Sequence, residues 1–142
     1  MSKGDTFEND VLKLIFNATA IANMADNAGT SPLTSLYVSL HTADPGESGS
    51  QTTNETAYTS YVRVAVARTS GGWTVTANSV SPAANIDFPA CTGGTATISH
   101  FGVGTATSGT GKLLYKGTVT PNISVSTGVT PRLTTASTVT ED

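Results

Sequence analysis

The side chains able to do acid–base or metal chemistry are few: His41 and His100, the single Cys91, and ten aspartates and glutamates. Both histidines fall in alternating, strand-like segments, "SLYVSLHT" and "TATISHFGVG", and Asp44 follows His41 by three residues. Nothing beside them completes the three or four ligands of a zinc site, so neither metal nor cofactor is expected. A histidine pair assembled by the fold stays open, although a strand histidine more often satisfies a local hydrogen bond. Cys91 could act as a nucleophile beside a histidine. Its surroundings lack the positive charge that makes a thiolate reactive, which favours a small buried hydrophobe. Asp44, Glu47, Glu55 and Asp87 could include a glycosidase-like pair, but one chain does not reveal their separation in space. There is no Gly-x-Ser-x-Gly elbow. Without a nucleophile-and-base set no enzyme is expected, and clustering of Cys91 with a histidine in a cleft would reverse that expectation.

The segment "GVGTATSGTGKLL" imitates a phosphate loop and fails it. Ala106 stands where the first glycine is required and Leu113 where magnesium needs a Ser or Thr. The dinucleotide fingerprint fails as well, since Thr107 takes the third glycine's place after Gly102 and Gly104. A hairpin turn between two strands is the better account. Asn17, Asn54 and Asn122 begin Asn-x-Ser/Thr sequons, which matter only in a secretory pathway. Trp73, Tyr37, Tyr58 and Tyr61 could form a sugar-stacking platform, but with one Trp, four Tyr and four Phe in the chain, core packing or an interface is the more economical use.

The elements that must position these residues are short. From Thr6 to about Asn27 the residues Phe7, Val11, Leu14, Ile15, Ala18, Ile21 and Ala22 recur at steps of three and four, predicting one helix. Asp5 or Thr6 caps its start, with Glu8 in the capping-box position, and Gly29 stops it. Thereafter the period changes to two. In "TSLYVSLHT" Leu36, Val38 and Leu40 share one face and Tyr37, Ser39 and His41 the other, as in a strand packed on one side. "YVRVAVART" sets Val62, Val64 and Val66 against Tyr61, Arg63 and Ala65. "WTVTA", "NIDFPA", "TATISHFGVG", "KLLYKGTVT", "NISVS" and "PRLTTASTVT" complete about eight strands separated by turn residues. Parallel pairing would need helical crossovers that are missing, so the expected fold is mainly β: an antiparallel sandwich or jelly roll with one N-terminal α-helix.

Composition agrees. Of 142 residues 37% are hydrophobic and only 12% charged, while Thr, Ser and Gly abound, a balance that favours strands and turns. One domain over 1–142 is expected, with a helical segment at 1–30, a β part at 33–140 and a long loop at 43–60. A net charge of −3 without any Lys/Arg cluster argues against nucleic acid as a direct partner. No apolar run suits a membrane span, and "MSKGDTFEND" is too polar for a signal peptide, so the chain reads as made in the cytosol. A lone cysteine excludes an intramolecular disulfide.

The loop from Ala43 to Ser60 carries "DPG", then small polar residues, then Tyr58. Loops of this length are usually functional or disordered, and this one reads either as a solvated segment or as an arm for a partner. Its contact candidates are Asp44, Pro45, Glu47, Glu55 and Tyr58, joined by Phe7 from the N-terminal segment.

Through "SLYVSLHTADPGESGSQTTNE", "YVRVAV", "GGWTV" and "ISHFGVGTATSGTGKLLYKGTVT" the sequence resembles a family of small tailed-bacteriophage virion proteins, whose members carry tail or tail-fibre labels. In size, strand content and composition it is similar to the jelly-roll cement, or decoration, proteins that coat some phage capsids. The resemblance implies a structural role in the virion without catalysis. Its first form is a cement protein, assembled in the host cytoplasm, that lies in the capsid, binds across major capsid subunits and self-associates as a dimer or trimer. The alternative is a tail or fibre component that recognises a host-surface glycan, for which a fully buried Trp73 would be adverse.

Overall fold

The computed structural model describes residues 5–21 and 33–141, with side chains from Glu8 onward. Among them one helix accompanies nine strands, and each strand pairing with a resolved register is antiparallel. The chain is therefore mainly β with a single described helix, and compatible with a β-sandwich. Its contacts divide it into two compact units, both discontinuous in sequence.

The first unit takes the described residues of Met1–Ser35, Val66–Asn85 and Thr134–Asp142. Here α1 (Asp5–Asn17) packs on β3 (Trp73–Thr76) and β4 (Ser79–Pro82), and β9 (Val139–Thr140) extends the sheet beside β4. The buried stripe of α1 is Glu8, Leu12 and Phe16, at steps of four. The predicted stripe through Val11, Leu14 and Ile15 is thereby corrected to a flank, only part-buried. Phe16 selects the face by meeting the ring of Trp73 edge-on, centroids 4.7 Å apart, a geometry that aromatic quadrupoles favour.

The helix is also shorter than expected. It stops at Asn17, and Ala18 turns left-handed with φ 53°. The carbonyls freed there are met by Thr19 N–H on Lys13 (3.0 Å) and by the guanidinium of Arg68 on Leu14 and Ile15, so the terminus is capped from outside its own sequence. Residues 22–27 and Gly29, like the side chains of Asp5, Thr6 and Phe7, lie outside the described residues. Strand β4 escaped the sequence reading because the turn before it places Ala77 at φ 52°, and alanine is no signal for a left-handed turn.

The second unit takes Leu36–Ala65 and Ile86–Leu133. Its ladder joins β1 (Ser35–His41), β6 (Ala96–Gly104) and β7 (Leu113–Val125), with the start of β2 (Val64–Ala67) beyond β1 in the order β2-β1-β6-β7. β5 (Ile86–Asp87) pairs separately with β8 (Arg132–Leu133). The predicted strands "KLLYKGTVT" and "NISVS" are one strand. The register passes from His100↔Thr118 to Ile98↔Ile123, so residues 119–122 bulge opposite Ser99, where Pro121 has no N–H to contribute. The Gly/Ser/Thr run at 105–112 connects β6 to β7 as a hairpin, as expected.

Register explains what β1 carries. Val38 faces Val103 and Leu40 faces Phe101 on one side, while Ser39 faces Gly102 and His41 faces His100 on the other. Leu36, Val38, Leu40, Phe101 and Val103 are buried as the alternation predicts, but Ser39 and His41 are equally enclosed, each 0% exposed. The strand packed on one side is thus corrected to a strand covered on both.

Candidate functional site

What covers the polar face of β1 is the loop after it, a strap over residues 42–57. Its own sequence folds it. Asp44 Oδ1 accepts the Gly46 N–H (2.8 Å) around the Asp-Pro-Gly turn, with Gly46 at φ 74°, the Asx geometry for which such triplets are suited. Ser50 N–H donates to Thr53 Oγ1 (3.0 Å), and the Asn54 side chain donates to the Asp44 carbonyl (2.9 Å). The returning chain then joins β1: Thr42 N–H reaches Asn54 O, Thr56 N–H reaches Leu40 O, both at 2.9 Å, and Glu55 bridges to His41.

Three buried polar groups fasten the strap. Gln51, fully enclosed, accepts the Ala106 N–H at Oε1 (2.9 Å), donates from Nε2 to Ala106 O (3.3 Å), and gives its backbone N–H to Thr110 O (2.9 Å). A Cβ at Gly104 or at Gly111 would fall inside its amide, so both glycines are required by close approach. Beneath the strap, Ser39 Oγ lies 2.8 Å from His41 Nε2, and His41 Nδ1 lies 2.9 Å from Thr53 O. Gly102 makes room for this pair, since a Cβ there would stand 2.9 Å from both. Burial holds the His41 imidazole below its ordinary pKa.

The third group is an ion pair. Arg63 Nε and Nη2 grip the two oxygens of Glu55 at 2.7 and 2.8 Å, and Nη1 and Nη2 also donate to Ala106 O and Gly109 O at 2.9 and 2.7 Å. The two side chains are 2% and 14% exposed, and the carboxylate raises the guanidinium's already high pKa. Tyr61 donates to Glu55 Oε1 (2.9 Å) and accepts the Leu40 N–H (3.0 Å), and burial pushes its phenol up. Here the predicted alternation is inverted: Arg63 is buried and Val62 is 58% exposed, because the ion pair needs the inner position.

The contact candidates fall in two groups. Glu55 and Tyr58 point inward, the latter 4% exposed with its hydroxyl on Pro89 O (2.8 Å), and Pro45 is buried. Asp44 and Glu47 are exposed, Asp44 paired with Lys116 at 2.9 Å and held below the usual carboxylate range by that bond. Phe7 lies outside the described side chains.

As chemistry, Ser39 and His41 have the separation of a nucleophile and its base, but both are sealed and the imidazole is oriented by a carbonyl. Cys91, buried, directs its thiol at Gly93 O (3.2 Å). Among the described residues no group of three or more His, Cys, Asp or Glu is placed to hold a metal, and no helix is long and apolar enough to cross a membrane. In the first unit Trp73 is 3% exposed and offers no ring face to a sugar.

Ser39, Gln51, Arg63, Gly102 and Gly104 were missed from sequence as parts of this site. The available signal was "GVG" inside a strand, two glycines on one face. An enclosed polar seam in which Ser39, His41, Gln51, Glu55 and Arg63 engage one another or nearby carbonyls is the make-up of a structural β scaffold. Residues 2–141 match the family model described as "Podophage GP4 fiber I protein gp80". The chain belongs to that family, and with it to the bacteriophage virion structural proteins of fibre type. Nothing among the curated proteins matches significantly.

Proposed function

We propose that this protein is a non-catalytic fibre component that attaches within the podophage particle by the outer surface of its strap. The observation that carries the reading is the strap itself. Its inward side chains Gln51 and Glu55 fix its backbone, while Thr42, Asp44, Glu47, Ser48, Thr52 and Asn54 are left outward. A polar surface already held in one shape avoids much of the ordering cost that a free loop meets on binding. The natural partner is a neighbouring virion subunit, with the chain as a dimer or trimer to multiply modest contacts.

Glycan recognition by stacked aromatics loses support from the burial of Trp73 and Tyr58. Labelling the chain in intact particles and imaging them by cryo-microscopy tests the proposal. Label confined to fibres at the particle's attachment points is expected. Label spread over the head at hundreds of copies would replace it with the cement role across major capsid subunits. Glu47→Lys, on the exposed rim, is expected to lower incorporation into particles without changing the melting temperature, and full incorporation would remove the strap from the interface.

A further inference from the structure

We propose that His41 makes the strap an acid-released latch, closed over a neutral imidazole and opened when that imidazole takes a second proton. Thr53 O can only accept, so Nδ1 carries the ring's proton and donates to it at 2.9 Å. Nε2 then has only its lone pair, which accepts the Ser39 hydroxyl at 2.8 Å. In the neutral form both nitrogens are satisfied and the Ser39 hydroxyl keeps its short bond. A proton on Nε2 forces the Ser39 hydroxyl to turn away, toward Gly102 O at 3.4 Å, close to the limit of a hydrogen bond. The charged ring would also have no water, since His41 is 0% exposed.

The charged neighbours do not repair this. From β6, His100 stands directly across the ladder and adds like charge when protonated. From the strap, Glu55 favours a charged imidazole, but both its oxygens are held by Arg63, whose own charge opposes it, and one also by Tyr61. From β7, Lys116 is matched by Asp44 of the strap. Burial is the largest influence and acts against the proton.

Opening the strap supplies the missing water. Its backbone holds are Thr42 N–H on Asn54 O, Thr56 N–H on Leu40 O and Gln51 N–H on Thr110 O. The open form binds a proton more readily than the closed form. Acid therefore favours opening, by at most about tenfold between pH 7.5 and 5.5 for an exposed imidazole at the ordinary value of 6.5. This inference concerns the strap's own equilibrium and stands whether or not the strap docks on another subunit.

Native-state hydrogen exchange tests it. Once intrinsic rates are corrected, protection of the Thr42 and Thr56 amides should fall over that interval, by up to about tenfold. It should also be insensitive to low urea, unlike protection in the β6–β7 ladder. Strap amides that exchange only with the ladder, or with constant protection, would overturn the proposal. His41→Gln should abolish the pH dependence and His100→Gln should keep it; the reverse pattern would assign the effect to His100 and overturn the latch. Should His41→Gln not fold, imidazole nitrogen shifts of the unaltered protein decide. A neutral Nδ1–H ring that titrates below the ordinary 6.5 is expected, and a midpoint at or above 6.5 would end the proposal.

Discussion

Arg63 and Arg68 flank the short strand β2, one just before it and one just after, and each collects carbonyls that the backbone leaves loose. Arg68 serves the first unit, donating to Ile15 O (2.7 Å), Leu14 O (2.8 Å) and Leu33 O (2.6 Å). Among the described residues the negative pole of a helix dipole stands where a carboxylate could, so partial charges face the positive charge there. Arg63 serves the second unit and has a full carboxylate, Glu55, in addition to Ala106 O and Gly109 O. The same fork thus ends a helix in one place and ties a strap to a hairpin in the other. A charge balanced by dipoles can be removed and leave only carbonyls behind, whereas a charge balanced by a buried carboxylate leaves another charge.

That difference sets the order of expected effects. Arg63→Ala should destabilise by about 3–5 kcal/mol in urea melts, because it strands Glu55 in a low-dielectric site. Adding Glu55→Gln should recover a substantial part of the loss. If the double variant is no more stable than the single one, the carbonyl contacts matter more than the ion pair, and the contrast between the two arginines disappears. Arg68→Ala should cost about 2 kcal/mol, the loss of charge-assisted bonds at a terminus that water can partly replace. Its mark should be reduced helical ellipticity, with the β signal kept. An equal loss at both sites would mean that the helix end depends on Arg68 as strictly as the strap depends on Arg63.

The two regions were not equally legible. Leu36, Val38 and Leu40 announce an apolar strand face by period alone, and that face is buried together with its cross-strand neighbours Phe101 and Val103. Ser39 and His41 occupy the other face of the same strand, and their burial depends on the room left by Gly102 and on the strap, whose Thr53 carbonyl meets His41, all through long-range contacts. Period-two reasoning assumes that polar means outward. It fails wherever polar groups satisfy one another, as at Arg63, whose inward turn puts Val62 outside. On α1 the failure has another cause: apolar residues spread over a broad arc of the helix, so the period finds a helix but Trp73 decides which part of that arc is buried. The strap was legible as a segment, from "DPG" and its small polar residues. Its closed form was not, since the Glu55–Arg63 pair and the Gln51 plug are tertiary facts.

Gly104→Ala isolates the plug from the ion pair. The added methyl meets the Gln51 amide while Arg63 and Glu55 keep their bonds, so a loss of about 1–3 kcal/mol is expected from overpacking alone. Combining it with Gln51→Ala should return part of that loss by giving the methyl space. Two additive losses would instead show that Gly104 is needed for its backbone and not for the room it leaves.

The smallest effect is expected at the remaining arginine–carboxylate pair, and it is the sharpest control on the comparison. Arg132 and Asp87 sit opposite each other on β5 and β8 with Nε–Oδ1 at 2.5 Å and Nη2–Oδ2 at 2.9 Å, the same two-pronged geometry that joins Arg63 to Glu55. Their side chains are 54% and 46% exposed, against 2% and 14% for the strap pair. If geometry governed, the two pairs would weigh alike. In water, however, each partner is resolvated when the other is removed, and the attraction is screened by salt. Asp87→Asn should therefore leave the urea midpoint where it was at physiological ionic strength. A shift comparable to that of Arg63→Ala would show that the two-pronged contact, and not its enclosure, is what stabilises this chain.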